Sequence, residues 1–222
     1  MLYKYYNNAQ QAFEEIYDFI IDNGIIVNNT KTVYNTCITL LNPLDNIIKT
    51  KWRKWNENYA KFEWDWYLSG DRNALEISKK AKIWESMMDE NNNVNSNYGF
   101  QWNRSNQLNK VIDMLKTNPT TRRASISIYD GKEIDLYQKD TPCTYSINFY
   151  IDNEDKINMQ VMMRSNDLVF GFCNDQYCFS NLLEYVSQKI NKNVGIYFHY
   201  VCNMHIYERH YNLKTKKSKN EL

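Results

Sequence analysis

The chain has 222 residues, 43% of them apolar and 15% aromatic, enough to bury one sizeable core, and its length fits a single large domain. Its 27 basic and 26 acidic side chains leave a net charge of +1, which excludes strong nonspecific attraction to DNA or to an anionic membrane and requires any phosphate to be met by a local cluster. The scattered charges and amides of "MLYKYYNNAQQAFEEIYDF" are unlike a signal or transit peptide, no apolar run is long enough to span a bilayer, and five cysteines without a CxxC pair argue against a disulfide framework or a zinc ribbon. A reducing cytosol is the expected setting.

In chain order, Tyr6, Ala9, Phe13, Ile16, Tyr17 and Ile20 recur at spacings of three and four before Gly24, which predicts an amphipathic helix over 4–22. "IIVNNTKTVYNTCITLL" reads as a strand, a polar turn and a second strand. Trp52, Trp55, Tyr59, Phe62 and Trp66 follow helical spacing, and most of them read as core anchors. "SGDRN" is a turn, "ALEISKKAKIWESMMDE" a helix, and "NNNVNSNYG" a polar loop ending at Tyr98 and Gly99. Leu108, Val111, Ile112 and Leu115 predict a helix that Asn118 and Pro119 end. "RASISIY", "CTYSINFYI" and "KINMQVMMR" alternate as strands, the last two joined by the turn "DNEDK". Residues 176–191 read as a mostly buried helix, with Asn174 as the candidate cap, and "GIYFHYVCNMHIY" as a long strand. The expectation is a mixed α+β single domain over residues 1–213, followed by a basic, mobile tail over 214–222.

Cys143 follows Pro142 at the entry to a strand. Taken alone, a cysteine there is more often a small buried hydrophobe than a nucleophile, which needs positive charge nearby. Two arginine features offer it: Arg122 and Arg123 in "TTRR", and Arg164 beside Ser165 in "MRS". Guanidinium forks next to a hydroxyl also suit a phosphate, although exposed ion pairing explains either feature equally well in isolation.

Together, "TTRR", "PC", "MRSNDLVFGFCND" and "HIYERH" stand in an order and spacing that resembles the thymidylate synthase family of pyrimidine nucleotide C5 transferases, over about Trp66 to His210. The resemblance implies a mixed sheet packed with helices, one sheet face forming a dimer interface, and 5,10-methylenetetrahydrofolate as one-carbon donor, with no metal. It implies that Cys143 is the nucleophile that adds to C6 of the base, and that Arg164 and Ser165 bind the nucleotide phosphate. Arg122 and Arg123 match a pair that reaches the phosphate held by the other subunit of a homodimer. His205 and Tyr207 match residues that bind the deoxyribose hydroxyl. Glu63 matches the glutamate that moves protons around C5, with Asp65 a competitor for that role. Tyr98 matches a tyrosine of the proton relay. Trp84, Asp167 and Gly171 match folate-contacting positions, with a plain core role open for Trp84.

Three departures from the methylating synthases set the expected chemistry. Where those enzymes carry an asparagine that pairs with uracil, this chain has Asp175. A carboxyl group accepts from the cytosine N4 amino group and, when protonated, donates to N3. Thr144 replaces the histidine that usually follows the nucleophile. Only a short polar stretch follows Tyr207, where the synthases continue into a lid, and an open site admits water in place of hydride. These are the departures of the phage deoxycytidylate 5-hydroxymethylases, which "NSNYG", "MRSND" and "FGFCND" also resemble. The expected activity is conversion of dCMP to 5-hydroxymethyl-dCMP with release of tetrahydrofolate, for DNA modification in the cytoplasm, that of the host if the chain is phage-encoded. A thymidylate synthase or a dUMP hydroxymethylase, and a non-catalytic relative of the same fold, are the alternatives. Direct nucleic-acid binding is not expected, since the basic run "KTKKSK" reads as a solvated terminus.

Overall fold

The computed structural model describes residues 1–215. Most of the predicted basic tail, 216–222, lies outside the described residues. The chain opens with strand β1 (Leu2–Tyr6), which the predicted 4–22 helix overran. Helix α1 (Ala9–Asn23) starts two residues after it, where the Asn8 side chain accepts from the Gln11 N–H, and it buries Phe13, Ile16, Tyr17 and Ile20. Strands β2 (Ile25–Val27) and β3 (Thr30–Leu40) form the predicted hairpin.

Helix α2 (Glu57–Ser69) begins later than the aromatic spacing suggested, because Asn56 caps it by accepting from the Tyr59 N–H. Trp52 therefore lies ahead of the helix, packed on Phe13 and Tyr17 with ring centroids 5.1 and 4.7 Å away. The single helix expected over "ALEISKKAKIWESMMDE" is two short ones, α3 (Leu75–Ser78) and α4 (Ile83–Met87). The polar loop before Tyr98 ends in helix α5 (Tyr98–Asn103), capped by Asn97. Gly99 is required there, since a Cβ would run into the Tyr67 carbonyl of α2. Helix α6 (Gln107–Thr117) and strand β4 (Ser125–Ser127) follow as predicted.

Strands β5 (Thr144–Ile151), β6 (Lys156–Asp167) and β7 (Asn193–Tyr207) complete a mixed sheet of order β1-β3-β7-β6-β5-β4, with β2 on the flank of β3. Between β6 and β7 a π-helical turn, Leu168–Phe172, runs straight into helix α7 (Cys173–Ile190). Asp167 caps that turn by accepting from the Val169 N–H at 2.9 Å. Asn174 does not cap α7: it lies inside the first turn, and its Oδ1 accepts from Trp55 Nε1 at 2.8 Å.

The alternation of buried residues changes phase along one line across the sheet. On β7 it runs through Tyr197, His199 and Val201 and resumes at Met204 and Ile206; on β6 it runs through Val161 and Met163 and resumes at Asn166. The step lies where Ser165 pairs with Asn203 and Asn203 with Tyr34, next to Asn35 in left-handed backbone (φ 57°). Beyond it, Ser165 and Asp167 on β6 sit beside Asn203 and His205 on β7, turned away from the core. A single step in strand phase thus gathers polar residues at one end of two neighbouring strands.

The core lies between the helices and one face of the sheet, filled by Phe13, Ile38, Val161, Phe172, Leu182 and Tyr197 among others. The opposite face carries rows of paired side chains, Tyr3, Cys37, Tyr200, Met162 and Ser146 in one and Tyr5, Thr39, Phe198, Gln160 and Asn148 in the next.

Candidate functional site

Cys143 sits just before β5, and its carbonyl accepts from the Arg164 N–H of β6 at 2.8 Å. The Arg164 side chain curls over the approach to the cysteine: Nε donates to the Pro142 carbonyl at 3.1 Å and Nη2 to the Thr141 carbonyl at 2.7 Å. Burial pushes the Cys143 thiol up to about 11, while the Arg164 charge acts in the opposite direction. All five cysteines are free thiols. One step earlier, the buried Asp140 carboxylate accepts from the Asn95 N–H, the Ser96 N–H and the Ser96 hydroxyl, at 2.7, 2.6 and 2.5 Å. The "NSNYG" segment is thereby tied to the loop that carries the thiol.

Tyr98 leads off α5 and stacks on Phe179 of α7, with centroids 5.4 Å apart. Burial raises its phenol well above the usual range, and the Asp175 and Cys143 charges add to that. The buried Thr144 hydroxyl lies toward the Tyr98 phenol and partly offsets that rise.

Glu63 projects from α2 into the core, 5% exposed, whereas Asp65 on the same helix is exposed and takes no part in this cluster. Glu63 Oε1 accepts from the Tyr59 hydroxyl at 3.0 Å, and that hydroxyl accepts from Trp84 Nε1 at 2.9 Å. Oε2 has no partner. Burial first and the Asp175 charge second push the Glu63 carboxyl up to about 8. Trp84 is itself a core residue, its ring edge-on to Trp66 at 5.1 Å. A cavity of about 240 Å³ lies beside Tyr59, lined also by Asn56, Asn58, Phe62 and Lys80.

Asp175 lies in the first turn of α7. Burial pushes its carboxyl up to about 7, against the opposing effect of the Asn166 amide, whose Nδ2 donates to Asp175 Oδ2 at 3.1 Å. Asn166 is 3% exposed and also lies 3.3 Å from Nε2 of His199, a wholly buried histidine that burial pushes down to about 3. Gly171 permits this packing, because a Cβ would stand 2.5 Å from Asn166 Oδ1 and 3.4 Å from Asp175 Oδ2.

Beyond the step in the sheet, Asp167 pairs with His205 across β6 and β7. Burial raises the Asp167 carboxyl and lowers the His205 imidazole, and their opposite charges partly offset both shifts. His205 Nδ1 lies 3.0 Å from Asn203 Oδ1, and the His205 and Tyr207 rings meet edge-on at 5.1 Å.

The fold therefore gathers Cys143, Tyr98, Glu63, Trp84, Asp175, Gly171 and Arg164 around the meeting point of α2, α5, α7 and the strand ends, with Ser165, Asp167, His205 and Tyr207 alongside on β6 and β7. It does not bring in Arg122 and Arg123, which are exposed on the loop between α6 and β4. Four residues of the cluster have no separate signal in the sequence: Tyr59, Asp140, Asn166 and His199. His199 falls on the inward phase of β7, a pattern that marks burial but not a polar partner.

Among the described residues, no group of three or more His, Cys, Asp or Glu side chains is arranged to hold a metal ion, and no helix is long and apolar enough to cross a membrane. The family model described as thymidylate synthase matches residues 11–221. A thymidylate synthase of Bacillus atrophaeus is 27% identical over 186 residues, 79% of this chain and 81% of that protein. A deoxyuridylate hydroxymethyltransferase of Pseudomonas phage M6 is 30% identical over 173 residues, 76% of this chain but 49% of its own length. Among solved structures, the thermostable thymidylate synthase A from Bacillus subtilis superposes with a TM-score of 0.74 at 22% identity, covering 94% of this chain and 84% of that one, which shows the same fold. With the family model spanning nearly the whole sequence, the chain belongs to the thymidylate synthase family.

Proposed function

We propose that the protein transfers a one-carbon unit from 5,10-methylenetetrahydrofolate to C5 of dCMP with addition of water, giving 5-hydroxymethyl-dCMP and tetrahydrofolate. The observation that carries this reading is Asp175, a carboxyl group with a pKa near 7 grouped with the Cys143 thiol. At neutral pH about half of such groups hold a proton, so one oxygen can donate to cytosine N3 while the other accepts from the N4 amino group. Uracil offers the reverse, a donor at N3 and an acceptor at O4. Leaving one buried polar group unpaired costs about 1 to 3 kcal/mol, roughly a ten- to hundredfold preference.

Cys143 Sγ bonds to C6 of the base, which makes C5 nucleophilic, and the same bond breaks when the product leaves. Arg164 supplies the counter-charge for the thiolate, and with Ser165 holds the phosphate. His205 and Tyr207 take the sugar hydroxyl. Glu63, with a pKa near 8 and a buried, unpartnered Oε2, holds or releases a proton near C5 and the exocyclic group, and Tyr98 lies along the same proton path. The unpartnered Glu63 Oε2 is a buried polar atom of the kind that a bound substrate and its waters satisfy. Trp84, Asp167 and Gly171 are the residues that would hold the folate, which when bound supplies the one-carbon unit. Arg122 and Arg123 complete the phosphate site from the second subunit of a homodimer.

A second reading takes dUMP as substrate, and the phage deoxyuridylate hydroxymethyltransferase among the relatives favours it. Turnover of labelled methylenetetrahydrofolate with dCMP and with dUMP separates the two. Dihydrofolate marks a methyl product and tetrahydrofolate a hydroxymethyl one. We expect dCMP and tetrahydrofolate, with Asp175→Asn shifting preference toward dUMP by about ten- to hundredfold. Faster turnover of dUMP by the parent enzyme, or an unchanged preference in the variant, refutes the pairing scheme.

A further inference from the structure

Behind Asp175 stands a buried polar chain for which the proposed reaction has no use. The Tyr197 hydroxyl lies 2.6 Å from His199 Nδ1, His199 Nε2 lies 3.3 Å from Asn166 Nδ2, and Asn166 Nδ2 donates to Asp175 Oδ2 at 3.1 Å. Tyr197 and His199 are wholly buried, and Asn166 nearly so. The Met163 thioether sulfur, an acceptor only, lies 3.0 Å from the same amide nitrogen. Asn166 Oδ1, on the other side, has no partner.

The direction of each hydrogen bond follows from these neighbours. The Met163 sulfur, which only accepts, and Asp175 Oδ2 both lie against one edge of the Asn166 amide, so that edge carries the NH2 group; a carbonyl there would face a sulfur lone pair and a carboxyl oxygen. His199 must then present a bare Nε2, which puts its one ring proton on Nδ1, donated to the Tyr197 oxygen. With its amide held this way, Asn166 offers Asp175 only a donor. The inner oxygen of Asp175 is confined to accepting, and any proton on that carboxyl resides on its outer oxygen.

We propose that His199 is a positioning residue for base selection: through Asn166 it keeps the Asp175 proton on the oxygen that meets cytosine N3. The inference rests on the dCMP reading above. Were the amide free to turn, its carbonyl would draw the carboxyl proton inward, leaving two acceptors toward the base. Cytosine would then lose its N3 partner. Uracil, whose N3 carries a hydrogen, would lose nothing.

His199→Phe keeps a ring in the core and removes Nε2. We expect the ratio of kcat/KM for dCMP to that for dUMP to fall about tenfold, the worth of one misdirected hydrogen bond, because dCMP turnover drops more than dUMP turnover. A merely structural role would lower both substrates together, and an unchanged ratio overturns the proposal. The parent enzyme provides a second test that needs no variant. Nitrogen-15 NMR of labelled histidine in the full chain should find His199 protonated at Nδ1, and protonation at Nε2 overturns the proposal. Preference of the parent for dUMP would instead refute the substrate reading, a result the parent assay gives separately from the variant ratio.

Discussion

Asp175 and Glu63 are two acids in one cluster, both made harder to ionise by burial, Glu63 also by the Asp175 charge and Asp175 by the Asp167 charge. For Asp175 the consequence is a pH dependence of substrate choice. Below about pH 7 the carboxyl holds its proton and meets cytosine N3; above it, a carboxylate faces the N3 lone pair. Ionisation of Cys143 and the later chemistry are common to both substrates and cancel in a ratio. The kcat/KM ratio for dCMP over dUMP should therefore fall as pH rises through about 7, approaching tenfold per unit well above it, and Asp175→Asn should abolish the dependence. A ratio flat between pH 6 and 9 would show that the carboxyl proton is not what reads the base. The sequence reached Cys143, Arg164 and Asp175 because each sits in a short motif with a distinctive neighbour. Asn166 and His199 were silent, since a polar residue on the buried phase of a strand looks the same whether or not it meets another polar group.

Elements were legible where period and punctuation agreed and misread where one was followed without the other. Helix α6 and the three long strands match the expected spans closely, because their alternation and end signals coincide. The helical spacing extends back to Tyr6, yet Tyr3 and Tyr5 point to one side of a strand that pairs in parallel with β3, so the helix starts only at Ala9. Helix α5 leaves no periodic signal, since six residues are too few to show one. Its position depends on Gly99, since backbone of α2 occupies the space a side chain would need. Gly99→Ala should lower Tm by several degrees and reduce activity by displacing Tyr98, whereas Gly131→Ala, with nothing within 4 Å of the new methyl, should leave both nearly unchanged. Equal behaviour of the two in thermal unfolding would remove Gly99 as the anchor of α5.

At the scale of the molecule, the helices among the described residues cover one face of the sheet and leave the other open. The other face offers Tyr3 and Tyr5, 58% and 52% exposed, beside the half-buried Met162, Phe198 and Tyr200. Aromatic and thioether side chains in register on a sheet suit a second copy of the same surface, which is how a two-fold dimer is built. The proposed homodimer also explains why Arg122 and Arg123 stand apart from their own cluster: each pair would serve the partner's phosphate site. That arrangement is testable by mixing two inactive proteins. Cys143→Ser lacks the nucleophile but keeps its arginines, and the double variant Arg122→Ala, Arg123→Ala keeps its nucleophile. After subunit exchange of equal amounts, half the dimers are mixed. Each mixed dimer has one site with both an intact Cys143 and intact arginines from across the interface, so about a quarter of the parental activity should return. If the arginines instead served their own subunit, every site in the mixture would lack one component, and activity would stay at the level of the separate variants.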